Sequence, residues 1–312
     1  MNFKLVNWVI FIVLSFIWGS SFILMKEGLL HLSAYQVASI RILSSGLVLW
    51  PFAVRTLRKV RRKQLFILFL SGAFGNLVPA YLFCVAEERV DSALAGTLNS
   101  LTPIFVIIVG GVLFRSKTST LKIAGIILSF TGSILLLLSK GFIGQDLHLF
   151  YVSLIVVATI FYGINVNMVR QKLAGFGSLE IASVSLSLNA IPALVVLYLT
   201  GFFHLPLGDK GVLISTAWSA VLGIFGTAVA SVLFYMLVKR TGVVFSSMVT
   251  YGIPVVANGW GIIYGEEVGW KQFACLMVIL AGVFVANIDS KKADLNDITL
   301  YQEESAGTVE AL

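Results

Sequence analysis

Arg41 is the residue with the clearest chemical potential in this sequence, because it lies inside a run of apolar and small residues between 34 and 54. An ionisable side chain in such surroundings is costly and is often kept for function. A guanidinium can hold a carboxylate or a phosphate through two parallel hydrogen bonds, so Arg41 is a candidate site for an anionic group. Two structural roles stay open: the side chain could reach an aqueous boundary, or it could join helices through backbone carbonyls.

A polar segment with a proline occurs once in each half of the chain. Proline removes the hydrogen bond to the carbonyl four residues earlier and can kink a helix there. At a cavity wall the freed carbonyl can bind a ligand or act as a hinge, whereas in a packed helix a neighbour satisfies it. The two segments contain Asn99, Thr102 and Pro103 in the first half and Thr250, Tyr251 and Pro254 in the second.

Further candidates are polar and aromatic side chains within the apolar runs. Ser21 and Asn165 are polar, and Asn167 follows two residues after Asn165. Residues two apart cannot share a helix face, so at most one of the two asparagines faces a cavity. We favour Asn165, with hydrogen bonding between helices as the alternative. Aromatic side chains can bind amine cations or apolar groups, or simply pack. Those aromatic residues are Trp18, Tyr81, Tyr162, Tyr235 and Trp260.

The sequence contains no set of residues that indicates an enzyme. The histidines, His31, His148 and His204, share no metal-ligand spacing, and the two cysteines lie in separate apolar runs. There is neither a phosphate-binding loop nor a nucleophile elbow. The paired acids Glu87-Glu88 and Glu266-Glu267 are expected to be solvated at helix ends. We therefore predict a protein that is not an enzyme and uses no metal or cofactor.

Composition indicates that membrane helices position these residues. Of 312 residues, 58% are hydrophobic and 12% are charged, against roughly 25% charged in soluble proteins. The net charge of +7 does not indicate nucleic acid, because the cations lie in short clusters between apolar runs. Ten segments are long and apolar enough to span a bilayer, which predicts an all-α integral membrane protein. They are residues 7–25, 34–54, 65–86, 92–114, 120–139, 149–169, 179–201, 216–238, 243–264 and 270–289.

Lysines and arginines in the loops predict the orientation. With the N-terminus inside, sixteen of them lie on the inner side and only five on the outer side. Because cytoplasmic loops are rich in these residues, both termini are expected in the cytoplasm, with the helices in the cell membrane. The polar, acidic residues 291–312 are predicted to form a disordered cytoplasmic tail.

The chain also repeats itself. A shift of 144 residues places Trp18-Gly19 on Tyr162-Gly163, and a shift of 151 gives seven identities without a gap. Five spans per half make the second half inverted, and the loop charges change sign accordingly. Inverted repeats, here residues 1–140 and 149–290, are typical of transporters that bind their substrate between the halves. The seven identities join Gly72, Phe74, Gly75, Leu82, Phe83, Arg89 and Pro103 to Gly223, Phe225, Gly226, Leu233, Phe234, Arg240 and Pro254.

The repeat, the segment Trp18-Gly19-Ser20-Ser21-Phe22 and a proline midway along the fourth and ninth spans resemble the drug/metabolite transporter superfamily. More narrowly, residues 1–290 resemble its EamA-type, ten-helix branch. The resemblance implies two inverted five-helix repeats around a central cavity, and export or exchange of small metabolites such as amino acids or amines. The small multidrug branch uses a glutamate in its first helix for proton antiport. Here that helix has no charge between Lys4 and Lys26, so coupling through such a carboxylate is not expected.

We therefore predict a secondary transporter that exports a small metabolite by alternating access. Its partners would be a small-molecule substrate and the lipid bilayer, without nucleic acid. Two repeats in one chain form a complete unit, so a monomer or a homodimer would serve. The alternatives are an uptake carrier for a sugar or an anionic metabolite, and a non-transporting membrane scaffold or sensor.

Overall fold

The computed structural model describes residues 3–114, 119–139, 146–247, 249–266, 269–282 and 284–285. Within these residues all regular structure is helical, which confirms the predicted all-α fold. Seven helices are long and apolar enough to cross a membrane, and three shorter apolar helices accompany them. The protein is therefore a multi-span membrane protein. The predicted tail, residues 291–312, lies outside the described residues.

Ten helices, labelled α1 to α10, correspond in order to the ten predicted spans. In α4, Ser100 and Leu101 interrupt the helix. The first five are α1 (Phe3–Leu29), α2 (Ala34–Leu57), α3 (Arg62–Ala86), α4 (Ser92–Phe114) and α5 (Thr120–Ser139). The others are α6 (Asp146–Lys172), α7 (Ser178–Leu199), α8 (successive segments Lys210–Val221, Leu222–Val229 and Ala230–Ser247), α9 (Val249–Ile263) and α10 (Trp270–Gly282).

The prediction for the eighth span was wrong at both of its ends. Helix α8 begins at Lys210, where Asp209 caps it by accepting hydrogen bonds from two backbone N–H groups. It also continues through Lys239 to Ser247, so the loop expected after residue 238 is helical. Charged residues end a hydrophobic run without ending a helix. The Nζ atom of Lys239 donates to the carbonyls of Ala174 and Phe176, which follow α6.

Side chains are distributed as a bilayer requires. Large apolar side chains face outward, such as Ile12, 63% exposed, and Leu199, 75% exposed. Small polar residues fill the interior instead, and the Ser45 hydroxyl donates to the carbonyl of Ile42 at 2.7 Å. Such residues let helix backbones approach closely while their polar groups stay satisfied.

Contacts between the halves occur in equivalent pairs. On α1, a Cβ atom at Gly19 would lie 2.5 Å from Val256 Cβ of α9. At the equivalent position on α6, a Cβ atom at Gly163 would lie 2.8 Å from the backbone of Phe105 in α4. Val256 and Phe105 are themselves equivalent under the shift of 151. Each half therefore inserts its first helix against the fourth helix of the other half.

The centre of this arrangement lies between α2 and α7. A Cβ atom at Gly46 would lie 2.7 Å from Cβ of Ala190, which is the equivalent of Gly46 under the shift of 144. A residue that contacts its own equivalent marks the axis relating two repeats. The Ser187 hydroxyl fixes the crossing by donating to the Gly46 carbonyl at 3.1 Å.

Candidate functional site: a cavity between the two halves

A cavity of about 110 Å³ lies between the halves and is lined by seven helices, α1 to α4, α6, α8 and α9. Fourteen of its twenty lining residues form seven pairs of repeat equivalents. Both halves therefore build it with the same positions. The pairs are Trp18 and Tyr162, Ser21 and Asn165, Phe22 and Val166, Gly75 and Gly226, Phe83 and Phe234, Asn99 and Thr250, and Thr102 and Ile253.

Six lining residues have equivalents that do not line the cavity, and they make it asymmetric. Four of the six are polar or charged, so the chemical difference between the two sides is concentrated in them. They are Met25, Arg41, Asn76, Val106, Ser231 and Tyr235.

Arg41 is 7% exposed and contributes a guanidinium to the cavity wall. Its Nε atom donates to Thr227 Oγ1 at 2.8 Å, and its Nη1 atom contacts Met25 Sδ at 3.6 Å. No carboxylate of the described residues lies within ion-pair distance of it. Through Thr227 the side chain joins α2 to α8, so a helix-linking role stays open beside the binding of an anionic group. A guanidinium has five N–H donors, and among the described residues its partners account for two of them.

Asn165 belongs to a polar network on the α6 side. Its Oδ1 atom accepts from the Ser71 hydroxyl at 2.7 Å, and its Nδ2 atom donates to the Tyr235 hydroxyl at 3.4 Å. Asn167 points elsewhere and donates to the Val106 carbonyl at 2.9 Å. The structure thus places only the first of these two asparagines at the cavity.

Aromatic rings form another part of the wall. The Trp18 Nε1–H donates to the Gly226 carbonyl at 3.2 Å, and its ring lies 5.1 Å from that of Phe234. The Phe83 ring contacts Tyr162 at 6.1 Å and Phe22 at 5.7 Å. Such faces suit apolar groups and cations, so the cavity combines an aromatic wall with one buried cation.

A π-helical turn in each half shapes the wall. In α3 the Val78 N–H bonds to the Ala73 carbonyl five residues earlier, and in α8 the Ala230 N–H bonds to Phe225 in the same way. Such turns are frequent at functional sites. Each places a glycine against the other half, since a Cβ atom at Gly226 would lie 2.7 Å from Ser21 Oγ. At the equivalent Gly75, a Cβ atom would collide with the amide of Asn165.

Five of the twelve predicted site residues do not line the cavity. The Tyr81 hydroxyl lies 2.8 Å from the Ser39 hydroxyl, and Trp260 Nε1 donates to Ser20 Oγ at 2.8 Å. The Pro254 carbonyl accepts from Asn258 at 2.7 Å. Tyr81 and Trp260 are thus satisfied by neighbouring helices, and the Pro254 carbonyl by its own helix. The five residues are Tyr81, Pro103, Tyr251, Pro254 and Trp260.

The proline carbonyl in α4 is satisfied locally. Pro103 leaves the Asn99 carbonyl without its helical partner, and the Thr102 hydroxyl donates to that carbonyl at 2.8 Å. The side chains of Asn99 and Thr102 still line the cavity. The freed carbonyl therefore fits the packing interpretation, while the polar side chains beside the proline reach the site.

Some lining residues were missed by the sequence interpretation. Gly75, Gly226, Phe83 and Phe234 belong to the ungapped identities of the repeat, so the signal for them was present. Asn76, Ser231 and Met25 carry no comparable signal, because no equivalent in the other half lines the cavity.

A charged cluster lies at one end of the bundle. The Glu266 carboxylate accepts from Lys26 Nζ at 2.8 Å and from the backbone N–H groups of Ser92 and Ala93 at 3.2 and 3.0 Å. It thus joins the end of α1 to the start of α4, where a helix N-terminus favours negative charge. We call this cluster, Lys26, Glu87, Ser92 and Glu266, the Lys26 end.

The two acids of this cluster were expected to be solvated, and that expectation was wrong. Glu87 is 8% exposed, so its carboxyl group is buried at the end of α3. Burial raises the pKa of Glu87 well above its ordinary range, helped by the charge of Glu266 and opposed by Arg41 and Lys26. Burial acts in the same direction on Glu266, but the hydrogen bonds from Lys26, Ala93 and Ser92 outweigh it and lower the pKa.

Comparison with known proteins identifies the family. The EamA-like transporter family matches residues 6–138 and again residues 149–288, so the chain belongs to that family. A "Probable terminal-alkyne amino-acid exporter" of Streptantibioticus cattleyicolor is 25% identical, over 77% of this chain and 79% of its own. A "Probable amino-acid metabolite efflux pump" of Salmonella typhimurium is 25% identical, over 86% of this chain and 90% of its own.

A solved structure supports the fold. The chain matches a crystal structure with a TM-score of 0.62 at 14% identity, over 90% of this chain and 98% of the other. At that identity the likeness concerns the fold alone.

Proposed function

We propose that the protein is a secondary transporter that exports small metabolites carrying a carboxylate, of the amino-acid class, by alternating access. The observation that carries this proposal is the cavity built from equivalent positions of two inverted halves, with a single asymmetric cation in its wall. A symmetric frame of this kind can open toward either side by exchanging the conformations of its halves.

Arg41 favours a carboxylate over a plain amine. A buried guanidinium without a carboxylate partner is costly, and a substrate carboxylate would supply the missing charge. The same group would repel a substrate whose only charge is positive. The aromatic wall at Trp18, Phe83 and Phe234 suits the apolar part of an amino acid. A cavity of about 110 Å³ favours a small molecule over a peptide.

The names of the relatives support export as the direction of transport. Both compared relatives are named as exporters or efflux pumps of amino-acid compounds. With both termini in the cytoplasm, as the loop charges predict, the Lys26 end would face the outside. A state in which that end is closed would then receive its substrate from the cytoplasm.

The test compares metabolites released into the medium by cells that produce the wild type or the Trp18→Ala/Asn165→Ala variant at equal membrane levels. We expect amino-acid compounds to accumulate outside only with the wild type. Trp50→Ala is the matched control, because Trp50 is 49% exposed on the outer surface of α2. Identical release by wild type and double variant under several nutrient conditions would refute export. Depletion of a compound from the medium would favour the uptake alternative.

A further inference from the structure

Glu87 is a buried carboxyl group that transport as described above does not use. It follows α3 directly, and its Oε1 atom is buried without a hydrogen-bond partner. The Oε2 atom has one long contact, 3.5 Å from the Ser92 hydroxyl. An ionised carboxylate with so few donors would lose far more hydration energy than these contacts return. The neutral, protonated acid is the form that suits this site.

Glu266 provides the contrast within the same cluster. It has three donors, one of them the Lys26 ammonium, so its ionised form is stabilised. Ser92 contacts both acids, through its hydroxyl to Glu87 and its backbone N–H to Glu266. The Lys26 end therefore holds one charged and one neutral carboxyl group, joined through the first residue of α4.

Position relates this carboxyl group to the cavity. Phe83 precedes Glu87 by one helical turn on α3, and its ring contacts Phe22 at 5.7 Å in the cavity wall. The Phe22 carbonyl in turn accepts from the Ser92 hydroxyl at 3.4 Å. If the Lys26 end opens to release a substrate, the contacts of Glu266 with Ser92 and Ala93 break and water reaches Glu87.

We propose that Glu87 is a proton-binding site, occupied while the Lys26 end is closed and emptied when that end opens. The inference rests on the proposed transport function, because it requires this end to open. It differs from the glutamate of the small multidrug branch, since Glu87 lies at the end of the third helix. Each cycle of opening and closing at this end would then release and rebind one proton.

The direction in which pH shifts the balance between the closed and open forms follows from the surroundings of Glu87 in the closed state. The described charged and titratable groups around Glu87 are Glu266, which raises its pKa together with burial, and Arg41 and Lys26, which lower it. Cys84 and Glu88 are its neighbours on α3 and its end. Exposure to water would return the pKa toward about 4.3. Consider a pH between the pKa of Glu87 in the open state and its pKa in the closed state. In that range, the population of the closed form relative to the open form falls about tenfold for each unit by which the pH rises.

The experiment measures the distance between spin labels at Arg89 and Tyr264, two exposed positions beside the cluster, in the full chain with Cys84 and Cys275 replaced by alanine. We expect the wild type to change from a closed to an open distance distribution as the pH is raised. Glu87→Gln, which mimics the protonated acid, should stay closed throughout. Glu88→Gln, its exposed neighbour, should behave as the wild type. Ser92→Ala, which removes the donor to Glu87, should move the midpoint to higher pH.

The outcomes separate this proposal from the transport proposal, because the measurement needs no substrate. An unchanged pH response in Glu87→Gln would refute the proton site and leave transport untouched. If Glu87→Gln does not fold, Ser92→Ala provides the test instead. A pH midpoint of opening that is the same in Ser92→Ala and in the wild type would also refute the proton site. Fixed distances at every pH in the wild type and in Lys26→Met, which lacks the ion pair, would also refute the proton site, and opening driven by a bound substrate would be untouched by that result.

Discussion

Replacing Arg41 by glutamine should weaken the transport of carboxylate substrates and spare that of their decarboxylated amines. In the structure, Nε is engaged by Thr227 and one Nη1 donor by Met25, which leaves the remaining donors for a substrate. One charge-assisted hydrogen bond contributes about 1.5–3 kcal/mol. Losing it should raise KM for an amino acid roughly tenfold to hundredfold.

The assay for this prediction is competition in proteoliposomes. A labelled amino acid is competed by the unlabelled amino acid or by the amine formed when that acid loses its carboxyl group. Wild type should prefer the acid, and Arg41→Gln should lose most of that preference. Arg41→Lys should recover part of it, because lysine restores the charge without the planar fork. Arg55→Gln is the matched control, since Arg55 is exposed on the same helix.

Two results would refute the reasoning. If Arg41→Gln transports the acid with an unchanged KM, the guanidinium does not bind the substrate. If Arg41→Gln loses transport of the acid and of the amine equally, and Arg41→Lys restores neither, then the role of Arg41 is to hold Thr227 and α8 in place.

Two further predictions follow from single contacts in the cavity wall. Gly226→Ala should lower both the transport rate and the melting temperature, because its Cβ atom would lie 2.7 Å from Ser21 Oγ. Adding Ser21→Ala should restore part of both. No recovery in the double variant would show that Ser21 is not the obstacle. Trp18→Phe and Trp260→Phe each lose one hydrogen bond, to Gly226 and to Ser20, and should each lose about 0.5–1.5 kcal/mol of stability. Only Trp18→Phe should also change KM, measured in proteoliposomes, because only Trp18 lines the cavity, and equal KM changes in both would contradict this.

The sequence was informative wherever the repeat or the bilayer restricts a residue. Arg41 could be placed within a membrane span because the apolar run around it is too long to belong to a loop. Ser21 and Asn165 could be paired because the shift of 144 aligns them, and both line the cavity. In each case a pattern in the sequence, either the apolar run or the repeat, indicates how deep in the membrane the residue lies.

The sequence was less informative where the result depends on helix rotation or on distant segments. Periodicity does not define which face of a kinked helix meets the cavity, so Pro254 and Trp260 were indistinguishable from true wall residues. The π-helical turns depend on one extra residue in the hydrogen-bond register, and composition carries no sign of it. Glu87 is buried at a place where Lys26 and Glu266, both distant in the sequence, act on its carboxyl group. A charged pair at the end of a hydrophobic run gives no indication of these neighbours.

The inverted repeat also indicates which end of the cavity closes more readily. The shifts of 144 and 151 map Lys26 onto Arg170 and Glu266 onto Arg115. Lys26 and Glu266 form an ion pair, whereas the sequence has arginine at both equivalent positions, so the same ion pair is not available there. When the two halves exchange conformations, the Lys26 end opens and the other end closes. The closed Lys26 end is held by an ion pair, and the other end, when closed, lacks this attraction. The state closed at the Lys26 end should be the resting state, and opening there requires work that a bound substrate or the release of a proton could provide.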